Sequence, residues 1–125
     1  MDKNVQDWWR QAEADLDTAI FNLNGKKYYA SVIFAQQAAE KALKALFFVN
    51  KAATPPKIHD LVELCNLVNA PDEIKKEAAD LSQTYLMSRY PGAASEIPVK
   101  FYTKEKAARF LHEAEVIVAW VKKQI

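Results

Sequence analysis

The sequence predicts an all-α fold, an up-and-down bundle of four to five helices. Three observations carry that expectation. The chain has two glycines in 125 residues, where average usage of about 7% would supply about nine, and tight β-hairpin turns consume glycine. It has twenty alanines, and alanine is the best helix former. Its apolar residues recur at helical spacing, and all five prolines and both glycines fall between the periodic segments.

The first segment covers about residues 4–24. Val5, Trp8, Trp9, Ala12, Leu16, Ala19, Ile20 and Leu23 form an apolar stripe, with Asp7, Arg10, Glu13, Asp15 and Asp17 mostly on the other face. Gly25 is placed to end it as a left-handed cap. The second, about 28–49, is apolar around most of its circumference, through Ala30, Ile33, Phe34, Ala38, Ala42, Leu46 and Val49 on one face and Val32, Ala35, Ala39, Leu43 and Phe47 beside it. Only a narrow stripe of Gln36, Gln37, Glu40, Lys41 and Lys44 is polar. A helix this apolar is central, or covered by a second subunit.

Residues 51–57, with Pro55 and Pro56, break the second helix. A short third helix is expected over about 59–68, with Leu61, Leu64, Leu67 and Val68 inward. Asn69-Ala70-Pro71 is a turn, and Pro71 suits a first helical position. The fourth, about 71–90, should bury Ile74, Ala78, Leu81, Tyr85 and Met87 before Pro91 and Gly92 end it. Residues 91–101, with Pro98, read as a loop. Thr103 is a suitable N-cap for a last helix to residue 124, burying Ala107, Phe110, Leu111, Ala114, Ile117, Val118 and Val121. No repeat or boundary interrupts the pattern, so residues 1–125 read as a single helical domain, long enough to bury about two-thirds of its unfolded surface.

Composition narrows the function classes. The missing glycines exclude phosphate-cradling loops of the G-x-G-x-x-G and G-x-x-x-x-G-K types. The net charge of +1 argues against gross attraction to nucleic acid, and no DNA partner is expected. Charge is unevenly spread, however. Residues 26–57 hold six lysines against Glu40 alone, whereas residues 1–24 hold two basic and five acidic side chains. No apolar stretch suffices for a membrane span, and the N-terminus is acidic where a signal peptide is basic. Cys65 has no partner for a disulfide, which suits a reducing, cytoplasmic setting.

Chemistry is sparse. His59, His112 and Cys65 show no metal-ligating spacing, so neither a metal nor a cofactor is expected; His112 reads as a surface helix residue and Cys65 as a small buried hydrophobe. Three clusters remain. Within 36–45, Glu40 and Lys44 are spaced for a surface ion pair worth a few tenths of a kcal/mol, yet their stripe also suits an interface or a groove. In Lys57-Ile58-His59-Asp60-Leu61, Asp60 suits a helix N-terminus, and His59 reads first as a local hydrogen-bonding residue, second as an acid or base. In Tyr85-Leu86-Met87-Ser88-Arg89-Tyr90, Arg89 either complements a helix dipole or grips a phosphate, and Tyr85 or Tyr90 either packs over a loop or stacks on a base.

Taken in order, these features resemble the HEPN domain family of prokaryotic helical proteins. The matching residues are Trp9, Ala12, Asp15-Leu16 and Ala19; Tyr29 and the strip 36–45; His59-Asp60-Leu61 and Leu64; and Tyr85, Ser88-Arg89-Tyr90-Pro91. The resemblance implies a helical bundle that forms homodimers, often paired with a minimal nucleotidyltransferase in a toxin–antitoxin-like system. Many members are metal-independent RNases whose motif is an Arg followed after four to six residues by a His. Arg89 matches that arginine, but Ala94, Ser95 and Glu96 stand where the histidine belongs. Histidine exchanges protons near neutrality, whereas a glutamate ordinarily titrates well below it.

The expectation is therefore a homodimeric, non-catalytic binding partner of a nucleotidyltransferase that takes a nucleotide or RNA. Arg89, Tyr85 and Tyr90 would contact phosphate and base, Gln37 would hydrogen-bond, and Lys41 and Lys44 would add positive potential. The second helix with Trp8 or Trp9 would form the dimer interface. The alternatives are an endoribonuclease using Arg89 with His59 or Glu96, and an assembly module that binds only protein.

Overall fold

The computed structural model describes residues 2–125. Its helices are α1 (Lys3–Asn24), α2 (Tyr28–Lys51), α3 (Leu61–Leu67), α4 (Asp72–Ser82), α5 (Thr84–Met87), α6 (Pro98–Phe101) and α7 (Lys104–Gln124). Five are helices of seven residues or more; α5 and α6 are single turns. The fold is the all-helical bundle the sequence predicts. No helix is long and apolar enough to cross a membrane among the described residues.

The axis of the bundle is α2. It packs against α1 on one side and α7 on another, and α3, α5 and α6 also rest on it, while α4 packs on α3 and α7. Small side chains make this approach close: Ala12 and Ala19 of α1 and Ala35, Ala38, Ala39 and Ala42 of α2 are all fully buried. Ser31 at the start of α2 donates its hydroxyl to the Ala19 carbonyl at 2.8 Å, tying the two helices together in the core. Much of the apolar circumference of α2 is thus covered by the chain's own helices, while Ile33, Phe34, Phe47 and Phe48 stay half-buried and Val49 is exposed. Trp8 and Trp9 are half-buried on α1.

Helix ends follow local chemistry. Asp60 caps α3 by accepting from the backbone N–H groups of Val62 and Glu63, and Thr103 caps α7 by accepting from Lys106 N, each satisfying a donor the helix leaves open. Pro71 stands one residue earlier than expected, as the N-cap of α4. The expected fourth helix is interrupted at Gln83 into α4 and α5, and the expected loop contains α6, with Pro98 in its first turn. All seven residues expected to be buried on the last helix are buried.

Gly25 is a correction. Its φ is −83°, an ordinary value, and the left-handed residue is Lys26 at φ 63°. Lys26 N–H reaches the Leu23 carbonyl and Lys27 N–H the Asn22 carbonyl, which is the Schellman pairing with lysine in the position that favours glycine. Asn69, at φ 55°, closes α3 in the same way, with Asn69 N–H on Asn66 and Ala70 N–H on Cys65.

Candidate functional site

The polar stripe of α2 is where the structure departs most from expectation. Gln36 is fully buried, and Glu40 and Lys44 are buried with it. At i, i+4 spacing the three form a ladder along the helix: Gln36 Nε2 donates to Glu40 Oε1 at 3.0 Å, and Lys44 Nζ donates to Glu40 Oε2 at 3.0 Å. The Glu40–Lys44 pair expected on the surface is therefore an internal one. Burial pushes the Glu40 carboxyl up, but hydrogen bonds from Gln36, Lys44 and His59 outweigh it and hold the group below the ordinary carboxylate range. Lys44 also lies 5.6 Å from the centre of the Trp8 ring.

Two further segments close on this ladder. Asp60 fixes the start of α3, and His59, the residue before it, lies with Nδ1 3.1 and 3.2 Å from the two Glu40 oxygens. An ionised carboxylate only accepts, so Nδ1 carries the proton. The His59 imidazole stacks on Tyr85, with ring centres 4.3 Å apart and planes within 13°. From the end of α5 the Arg89 guanidinium sits 4.3 Å from the same tyrosine ring. It donates to the Tyr85 carbonyl at 2.8 Å, to Ser88 Oγ at 3.4 Å, and to Gln36 Oε1 at 3.1 Å. Gln36, Glu40, His59, Tyr85 and Arg89 thus close a ring of contacts drawn from three separate stretches of sequence.

Arg89 is a half-buried cation with no carboxylate partner. Its neighbours at hydrogen-bonding distance are an amide oxygen, a carbonyl and a hydroxyl. Burial lowers its pKa, opposed chiefly by Tyr85 and Glu40, and an arginine stays charged. Three of the five N–H donors that a guanidinium carries are engaged, which leaves two for a ligand. Tyr102, where α6 meets α7, has a buried hydroxyl with no hydrogen-bond partner. Burial pushes that phenol up to about 12 against the pull of Arg89.

A cleft of about 270 Å³ opens here, lined by Gln37, Glu40, Lys41, His59, Tyr85 and Arg89. Five residues singled out in the sequence, Arg89, Tyr85, Gln37, Lys41 and His59, are therefore brought together. Lys41 is held by Asp15 of α1 and by Gln37 Oε1 at 3.4 Å. Lys44 is not among the lining residues; it is buried on Glu40. Tyr90 is 55% exposed and stands outside the cleft lining, and Glu96 is an exposed residue between α5 and α6. Gln36, Glu40 and Asp15 are functional neighbours that sequence reasoning did not assign to the site. The i, i+4 stripe on an apolar helix was the available signal for the first two. Asp15 stood out only among the residues that carry the family resemblance, and its placement on the outer face of α1 is corrected by its burial.

Among the described residues no three His, Cys, Asp or Glu side chains gather as metal ligands. Cys65 is buried, and burial, its largest influence, pushes its thiol up to about 11.

Fold and cleft together define a class: a helical bundle that holds an arginine without a direct carboxylate contact beside an aromatic pair. The chain belongs to the HEPN domain family, whose model matches residues 5–124. It is similar in structure to TT1696 from Thermus thermophilus, with a TM-score of 0.90 at 29% identity over 99% of this chain and 100% of that one. It is likewise similar to ST0689, an archaeal HEPN homologue, with a TM-score of 0.83 at 34% identity over 99% and 98% of the two chains. A HEPN domain protein of Thermotoga maritima, tm0613, shares the fold at a TM-score of 0.72 and 23% identity over 94% and 95%. No curated protein matches the chain significantly in sequence.

Proposed function

We propose that the Arg89 cleft binds the phosphate of a nucleotide or RNA, and that the chain acts as a non-catalytic HEPN homodimer. Its protein partner in this reading is a minimal nucleotidyltransferase of a toxin–antitoxin-like pair in the cytoplasm, with residues 1–125 acting as one domain. The observation that carries the binding reading is the half-buried Arg89, which among the described residues has no carboxylate at ion-pair distance and engages three of its five N–H donors. Phosphate is the ligand that a guanidinium fork fits best. Lys41, paired with Asp15, adds a second positive side chain, Gln37 an amide, and the half-exposed His59 ring a surface for a base, Tyr85 itself being packed between His59 and Arg89. The partner protein and the pairing rest on the family resemblance. For the dimer, four large apolar side chains between residues 86 and 99 are left exposed, Leu86, Tyr90, Ile97 and Val99, and exposed apolar surface marks interaction sites.

Calorimetry with a nucleoside monophosphate, ATP and short RNA tests the binding: heat is expected, and Arg89→Ala is expected to abolish it. No heat with any of them would leave an assembly module that binds only protein. Light scattering at micromolar concentration is expected to give a dimer.

One observation favours a second reading, a metal-independent endoribonuclease. Glu40 holds His59 in the Nδ1–H tautomer, which leaves Nε2 as the nitrogen able to take a proton from a ribose 2′-hydroxyl, in the cleft where Arg89 would hold the phosphate. RNA incubated with the protein in EDTA stays intact under the first reading. Cleavage lost in both His59→Ala and Arg89→Ala would establish the second.

A further inference from the structure

We infer that a second cavity, between α5 and the α6–α7 junction, takes a small aromatic carboxylate, its ring held among Phe101, Tyr102 and Phe110 and its carboxylate met by Lys106 and the Tyr102 hydroxyl. The inference needs neither the Arg89 cleft nor any ligand of that cleft.

The cavity measures about 190 Å³ and shares no lining residue with the cleft. The short α5 and its cap contribute to both: Tyr85 to the cleft, and Gln83, Thr84 and Met87 to the cavity. Across from α5 the wall is aromatic. Phe101 and Tyr102 meet edge to face with ring centres 5.1 Å apart, and Tyr102 and Phe110 do so at 6.2 Å. Met87 faces them with a flexible, polarisable side chain that adapts to a ring edge. A cavity of about 150 Å³ lined by apolar side chains already takes benzene, so this one has room for a six-membered ring and a short polar substituent.

Two polar features select that substituent. Tyr102 is 3% exposed, yet its hydroxyl has no hydrogen-bond partner. Burial keeps the phenol protonated at neutral pH, so it is a donor without an acceptor, an arrangement that native proteins rarely leave unused. Lys106 and Arg109 also line the cavity, and no carboxylate does. Arg109 is paired with Asp80. Lys106 instead lies 3.7 Å from the centre of the Phe101 ring and donates to the Phe101 carbonyl at 3.2 Å, which engages one of the three donors of an ammonium. A carboxylate satisfies both the phenol and the ammonium. A neutral ring would leave those donors unmet, and a small anion without a ring would leave the aromatic wall unfilled.

The test titrates the full chain with benzoate, benzyl alcohol and acetate at neutral pH, read by calorimetry or saturation-transfer NMR. Benzoate is expected to bind about tenfold tighter than either of the others. Lys106→Met, which keeps the stem and removes the charge, is expected to lose most of that gain. Tyr102→Phe keeps the ring and is expected to weaken benzoate about fivefold. Its urea midpoint should stay at or above that of the wild type, because it removes a buried donor that the free chain leaves unmet. Arg89→Ala is expected to leave benzoate affinity unchanged. Benzoate that binds the wild-type protein no tighter than benzyl alcohol would overturn the site whether or not the variants fold, as would an affinity unchanged in Tyr102→Phe and Lys106→Met alike. A loss confined to Arg89→Ala would put the carboxylate in the Arg89 cleft and overturn it too.

Discussion

Arg89 donates a hydrogen bond to the side-chain amide of Gln36 at 3.1 Å, across 53 residues of sequence. That single contact connects the end of α5 to the buried ladder of α2. The same amide donates its own N–H to Glu40, so Gln36 satisfies a cation and an anion at once without carrying charge. Few side chains do this: an amide has both an acceptor oxygen and donor hydrogens, where a carboxylate or an ammonium has only one kind.

Gln36→Ala is expected to destabilise the fold by about 1–3 kcal/mol, because it leaves Arg89 and Glu40 each short of a partner in a buried place. Urea unfolding measures the loss. Phosphate affinity should fall in the same variant even under conditions where it is folded, since the guanidinium loses one of its fixed edges.

Replacing Arg89 by lysine separates geometry from charge. Lysine keeps the positive charge but is a point donor without a fork and without a planar face for Tyr85. Arg89→Lys should therefore weaken nucleotide binding by roughly tenfold or more. Retention of wild-type affinity in calorimetry would mean that charge alone holds the ligand.

Glu113 predicts a pH dependence. It lies buried on α7, one carboxylate oxygen has no hydrogen-bond partner, and burial, reinforced by Asp80 and Glu77 of α4, pushes its carboxyl from 4.5 to about 9, against Arg109. The folded state thus holds this proton more tightly than the unfolded chain does. Its contribution is complete below the unfolded value and is lost as pH rises towards about 9. Glu113→Gln, which keeps the shape and cannot ionise, should gain on the order of 2 kcal/mol over the wild type between about pH 5 and about pH 8. Parallel stability curves for the two proteins would refute the shift.

The turn between α1 and α2 offers a stability gain. Lys26 occupies the left-handed region at φ 63°, which costs a side chain roughly 1 kcal/mol. Lys26→Gly should stabilise the chain by about 0.5–1 kcal/mol. Gly25→Ala should be close to neutral: the backbone there is ordinary, and an added Cβ would meet the Phe21 carbonyl oxygen at 3.4 Å. Thermal or urea denaturation compares the two, and the reverse order would place the left-handed residue at Gly25.

Much of the fold was legible in the sequence because helices declare themselves locally. The seven inward positions of α7 follow from 3.6-residue spacing, and Asp60 and Thr103 cap helices by bonds to their own neighbours. The α4–α5 break at Gln83 and the left-handed Lys26 were not legible, since no proline or glycine marks either residue. In the candidate site, Arg89, Tyr85, His59, Gln37 and Lys41 stood out as residue types with suitable chemistry. Their mutual distances did not.

Composition, periodicity and ordered motifs along the chain were enough to establish the helical class, the family and the short clusters that hold chemistry. Three facts waited on the packed helices: Gln36, Glu40 and Lys44 of the α2 polar stripe are buried, Asp15 rather than solvent answers Lys41, and Glu40 holds His59 within the Arg89 cleft. Periodicity fixes the residues that share a face, but not what each face meets. That depends on the rotation and separation at which helices pack, and here close approach over alanines brings an amide, a carboxylate, an imidazole and a guanidinium within hydrogen-bonding reach.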